Sequence, residues 1–193
     1  MKFGTILLAG MIAFGGLPAL AQGTGAINVL GTVDKLDGTT MVLRSDDGGA
    51  AESFRLAADV LVLQSRPATL ADIRPNDFVA SAARPGADGK LHSVELRIFP
   101  EALRGAGEGQ RPMAGTGNLT MTNATVTGAA VADGSNDIKV SFKGGVSEMV
   151  VDPGVPVTRI DVADKSLLKV GAKVRVQGAR DAGGASASRI TIQ

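Results

Sequence analysis

Apolar and polar residues alternate along most of the chain beyond residue 26. Successive strand side chains point to opposite faces, so this period of two marks half-buried β-strands. The first runs cover 27–35, 39–45, 52–57, 60–64, 78–84 and 92–99. Asp37-Gly38, Asp46-Asp47-Gly48-Gly49 and the stretch from Gly86 to Gly89 separate them as turns. Glycine supplies the positive φ such turns need, and aspartate bonds the neighbouring backbone. Thr69 reads as the cap of one short helical turn over 70–73, which Pro75 stops. The same order then recurs: strands at 122–130, 137–142, 148–151 and 157–161, a turn at 165–168, and strands at 173–178 and 187–192.

This recurrence is an internal repeat. ADIRPNDFVASAARPGADGKLHSVELRI (71–98) aligns with KSLLKVGAKVRVQGARDAGGASASRITI (165–192), with Ile73 over Leu168 and Val79 over Val174. A one-residue gap brings Leu96 over Ile190 and Ile98 over Ile192, and GTVDKLDG (31–38) matches ATVTGAAVADG (124–134). Short strands with one helical turn in the middle predict an all-β fold: two tandem small OB-like β-barrels. Closure would remove the exposed strand edges that otherwise pair with other chains. The expected domains are 22–99 and 122–193, joined by a Gly-rich linker at 100–121. A β-sandwich is the alternative architecture.

The N-terminus changes the expected location. Lys2 precedes a glycine-broken apolar run, and Pro18 and Ala19-Leu20-Ala21 follow as a small-x-small cleavage site. This is the pattern of a secretory signal peptide over 1–21, cut before Gln22 and leading to the periplasm or beyond. A membrane-anchored N-terminus is the other reading of that run. No cysteine follows the site to carry a lipid, and no later stretch is apolar for the length a membrane-spanning helix needs.

Composition narrows the chemistry. The formal net charge is +1, and losing Lys2 would bring acidic and basic side chains into balance. Such a chain offers no electrostatic footprint for nucleic acid. The absence of cysteine leaves the fold resting on its core rather than on disulfides. There is no Trp or Tyr, and beyond residue 21 only Phe54, Phe78, Phe99 and Phe142 remain as large aromatics, too few for a stacking platform.

FPEALRGAGEGQRPMAG (99–115) holds Gly105, Gly107 and Gly109 in alternation. A phosphate loop needs its glycines to open a helix, with Lys-Ser or Lys-Thr following in one form. Here Gln110-Arg111-Pro112 and a further Gly-rich stretch follow, so no nucleotide is expected and the segment reads as a flexible linker, with a loop that folds over one barrel or binds a partner as the alternative. Its charged side chains Arg104, Glu108 and Arg111, together with His92, are the candidate ligand or partner residues.

The segments PATLADIRPNDFV, IFPEALRGAGEGQRP and MTNATV together resemble a bacterial exported family known as domain of unknown function 5666. The resemblance covers nearly all of the chain beyond residue 21, and FPEALRG-x-GEG-x-RP is its most specific part. It implies a small exported β-barrel protein with no established activity. In that family the segment tends to run on through a His and a Trp-Asp pair. Gln110 and Met113-Ala114 stand there in this chain, so a ligand role resting on that imidazole or ring is not carried over.

His92 is the single histidine, so any His-based general base would have to be this residue. With no second histidine and no cysteine, an ordinary zinc or copper site is not expected. Asp46, Asp47 and Glu52 lack the spacing of a calcium loop and read as a hairpin turn. Asp34/Asp37 and Asp161/Asp164 could be drawn as acid–base pairs for glycoside cleavage, but they flank turns, where aspartate has a structural task. The sequence therefore predicts a non-enzymatic binding, interaction or envelope structural protein without a cofactor, whose partner is a protein or a small solute. Capture of a small solute or metal ion in a cleft between the barrels, beside 100–121, is the second reading. A carboxylate-based hydrolase is the weakest.

Overall fold

The computed structural model describes residues 25–129 and 136–193. The expected signal peptide over 1–21 and residue 130, the last of the strand expected over 122–130, lie outside the described residues. The chain is all-β. Its strands are β1 (Gly25–Leu36), β2 (Thr40–Ser45), β3 (Glu52–Ala68), β4 (Phe78–Pro85), β5 (Leu91–Phe99), β6 (Gly109–Pro112), β7 (Thr120–Ala129), β8 (Asp137–Phe142), β9 (Gly145–Val150), β10 (Val157–Val162), β11 (Lys173–Asp181) and β12 (Gly184–Ile192). Single 3-10 turns at Leu70–Asp72, Glu101–Leu103 and Lys165–Leu167 interrupt them.

The first and third turns occupy equivalent places in the repeat, and local chemistry explains both. The Asp72 carboxylate accepts from the backbone N–H and the hydroxyl of Thr69, at 2.8 and 2.9 Å. Asp164 accepts from the Ser166 N–H at 2.8 Å. Each turn delivers one apolar residue, Ile73 or Leu168, into a core.

Strand pairing crosses between the two halves of the sequence. β1, β2 and β3 form an antiparallel meander; β11 pairs with β1, and β12 runs parallel to β3. With the β11–β12 hairpin, these five strands close a small barrel. A second ring has the same order: β7, β8 and β9 form the meander, β4 pairs with β7, and the β4–β5 hairpin reaches β9. It closes through a short parallel contact, Leu91↔Met149 and His92↔Val150. The tandem arrangement predicts that each half closes on its own strands. Instead, the three-strand meander of each half closes with the last hairpin of the other.

The physical reason lies in β3. The sequence suggests two strands at 52–57 and 60–64, but β3 continues without a break from Glu52 to Ala68. At roughly 3.3 Å per residue it spans about 55 Å, which carries the chain out of the first barrel before the β4–β5 hairpin begins. β10 pairs antiparallel with 63–68 of β3 and parallel with 96–98 of β5, joining the rings into one continuous sheet.

Alternating inward residues fill both rings. Val33, Met41, Leu43, Phe54, Val174 and Ile190 pack in the first, and Val79, Leu96, Ile98, Val126, Ile138 and Met149 in the second. A third, smaller cluster of Leu63, Leu103 and Ile160 lies apart from either ring core, with Phe99 and Ala106 packed against it.

Candidate functional site

The segment expected as a linker packs against the protein over its first part. The turn at Glu101–Leu103 buries Leu103 in the third cluster. β6 then adds to β7, from Gly109↔Asn123 to Pro112↔Thr120. Gly107 makes the close approach possible. Its φ is +60°, and a Cβ there would stand 3.0 Å from Asn123 Nδ2 and 3.2 Å from an Arg111 terminal nitrogen. The Asn123 side chain reaches over to donate to Ala106 O at 2.9 Å.

The charged residues of this segment secure it. Arg104 donates to Glu101 at 2.6 Å and to Asn76 O at 2.8 Å. Its hydrogen bond holds the Glu101 carboxyl below the usual range. Glu108 accepts from the Lys143 N–H at 2.9 Å, and Arg111 donates to Gly107 O at 2.8 Å. Gln110 donates to the hydroxyls of Thr122 and Ser147 at 3.0 and 3.2 Å.

His92 lies near the other end of β5, roughly 23 Å along the strand from Phe99. Its Nδ1 is 2.8 Å from Asp152 and its Nε2 is 3.2 Å from Asp88. The Asp152 hydrogen bond first, and then that of Asp88, raise its pKa above the ordinary 6.5. Both ring nitrogens are occupied by carboxylates on opposite sides. With both nitrogens engaged, neither faces an open position, and the two carboxylates do not converge on one point. Beside it, Lys90 bridges Asp137 and Glu148 at 2.8 and 3.2 Å, tying the β4–β5 hairpin to β8 and β9. The four candidate residues are thus not gathered in one place: three brace the 100–112 segment and His92 braces a distant turn.

The acidic pairs are also engaged structurally. Asp34 binds Arg44, and Asp37 accepts from the Thr39 and Thr40 N–H groups. Asp161 binds Arg66, while Asp164 caps its turn. Asp47 accepts from the Gly49 N–H at 3.0 Å, and Asp46 pairs with Lys173 at 3.0 Å. Among the described residues, no three His, Cys, Asp or Glu side chains gather as a metal ion would require.

A cavity of about 410 Å³ opens where the two rings meet the 100–112 segment. Leu63, Phe99, Leu103 and Ile160 supply apolar wall, joined by Ala106 and Gly107. Three arginines reach it from different strands: Arg97 from β5, Arg175 from β11 and Arg189 from β12. Asn123, Gln177 and Thr191 add neutral polar groups, and among the described residues no carboxylate side chain lines it.

Of these arginines, sequence reasoning takes Arg175 only as part of a mildly basic, solvated face and passes over Arg97 and Arg189. They lie beside buried positions, Arg97 between Leu96 and Ile98 and Arg175 between Val174 and Val176, so they read as the solvent face of their strands. The available signal was their placement on strands of both halves, which becomes informative only once the pairing is known.

No protein-family model, curated protein or solved structure matches this chain. Among the described residues, no helix is long and apolar enough to cross a membrane.

Proposed function

We propose that this chain is an exported, non-enzymatic binding protein that captures a small solute in the cavity between its strand rings. The observation that carries this reading is the composition of the cavity wall, to which both halves of the repeat and the 100–112 segment contribute. The volume falls in the range of small-molecule sites, and an apolar wall with a few placed polar groups is their usual lining. Its polar side chains are Arg, Asn, Gln and Thr. None is a general base at neutral pH, which favours binding over catalysis. The guanidinium groups disfavour a cation, so the solute is favoured over a metal ion.

Each ring follows the order meander strand one, two, three, then hairpin strand five, then four, which supports an OB-like reading of both. Export rests on the N-terminal pattern and agrees with what the family resemblance implies. A protein-interaction role is the second reading. It rests on Val162, Leu167 and Val170, which are large, apolar and exposed along one stretch.

Native mass spectrometry of the chain produced with its signal peptide and purified gently from periplasm tests the proposal. Extra mass that disappears on denaturation is the expected result. A bare chain mass, with no thermal shift across a solute library, would turn attention to the exposed apolar stretch.

A further inference from the structure

We infer that the solute is an amphiphilic oxyanion: a phosphate or carboxylate on a small apolar body, with the anionic end held by Arg97, Arg175 and Arg189. This inference rests on the reading of the cavity as a solute site and adds the chemical class.

The charge of the cavity is local. The whole chain is close to neutral, yet three guanidinium groups line one concavity to which, among the described residues, no carboxylate side chain contributes. A cleft lined by one sign of charge focuses its field on whatever enters. The three groups are held differently. Arg97 has a carboxylate partner, Glu95, at 2.9 Å. Arg175 donates to the amide oxygen of Asn28 at 3.3 Å, and Arg189 to that of Gln177 at 3.3 Å. Two of the three positive charges therefore rest on neutral oxygens over long hydrogen bonds.

Arg189 is also incompletely satisfied. Its Nε is buried without a hydrogen-bond partner. Nε and a terminal nitrogen form the fork that grips carboxylate or phosphate through two parallel bonds, and a turn of the side chain would present that fork to the cavity. Asn123, 8% exposed and in the same wall, has its Oδ1 buried and unpartnered while its Nδ2 is committed to Ala106. A buried unpaired polar atom costs about 1–3 kcal/mol; the Arg189 Nε–H donor has that to gain from an anion, whereas the Asn123 Oδ1 is an acceptor and would take a hydroxyl or water of the bound solute rather than the anionic oxygen.

Leu63, Phe99, Leu103 and Ile160 fix the other end of the solute. A free inorganic anion would leave this apolar wall without a partner, whereas a short hydrocarbon or ring would cover it. Arg97 belongs to the second ring, and Arg175 and Arg189 to the first. An anion between them would bridge the rings.

The test is calorimetric titration of the full exported chain with hexyl phosphate, hexanol, hexyltrimethylammonium and inorganic phosphate. Hexyl phosphate is expected to bind best, with hexanol and inorganic phosphate each weaker by roughly tenfold or more and the cation weakest. Arg175→Gln with Arg189→Gln should weaken hexyl phosphate by roughly tenfold or more and leave hexanol unchanged. Arg175→Lys with Arg189→Lys keeps the charge without the fork, and covers the case in which the glutamine pair fails to fold. Equal binding of hexanol or the cation would overturn the anion class while leaving a solute cavity. No heat and no thermal shift with any of the four would overturn the solute reading and this inference with it. Co-sedimentation with phosphatidic acid vesicles, lost in the arginine variants, would assign a lipid as the source of the oxyanion. Binding confined to soluble hexyl phosphate would assign a free solute.

Discussion

His92 shows how a single side chain can look chemical and act structurally. Held between Asp152 and Asp88, it is stabilised as the imidazolium, with its pKa raised by those two hydrogen bonds. A raised folded-state value means that its contribution is complete below the unfolded pKa of about 6.5 and disappears as pH climbs through the folded value. His92→Gln should therefore lower the melting temperature clearly at about pH 5.5 and much less at about pH 9. Thermal denaturation across that range checks it, and a pH-independent difference would show that the ion pairs contribute nothing. Gly178 is constrained by space. It lies where β11 and β12 shift register, and a Cβ would stand 1.9 Å from Ser186 O. Since the obstacle is backbone, Gly178→Ala should cost about 1–3 kcal/mol in a denaturant titration.

At the scale of elements, the instructive segment is 100–112. Its glycines suggest a linker, with a loop folded over one barrel as the alternative; Leu103 is 4% exposed and β6 extends the sheet beside β7. Alternation could not reveal either feature. A single anchoring leucine has no period, and β6 is four residues long and ends in proline. Leu103→Ala should destabilise the protein by about 2–3 kcal/mol and loosen the cavity wall. Equilibrium unfolding measures the first effect and amide exchange over β6 the second. A free linker would show neither. The regular strands were easier to read. Asp137–Phe142 has the expected bounds, and most others differ at their ends by a few residues, because inward positions such as Ile138 and Val140 are fully buried while their neighbours are not. The gap expected at 58–59 failed because Ala58 and Asp59 are exposed residues within one long strand.

At the scale of the whole molecule, the exchange of hairpins makes the halves interdependent. β11–β12 complete the ring begun by β1–β3, and β4–β5 complete the ring of β7–β9. A proteolytic nick within 113–119 should therefore leave both fragments co-eluting under native conditions and separating only in denaturant. Independently closed barrels would part much more readily. The candidate cavity depends on the same exchange, since it brings Arg175 and Arg189 of the last hairpin to face Arg97 and the 100–112 segment.

By itself the sequence determined the all-β class, the repeat, the turn chemistry and most inward-facing residues, because these depend on period-two burial and on local bonds between near neighbours. Which hairpin closes which ring, and hence where the arginines meet, was decided only by the tertiary structure. The two hairpins carry nearly the same apolar pattern, Val79, Leu96 and Ile98 against Val174, Ile190 and Ile192. Either could fill either ring by pattern alone. The length of β3 and the bridging position of β10 are long-range facts that select one pairing and create the cavity.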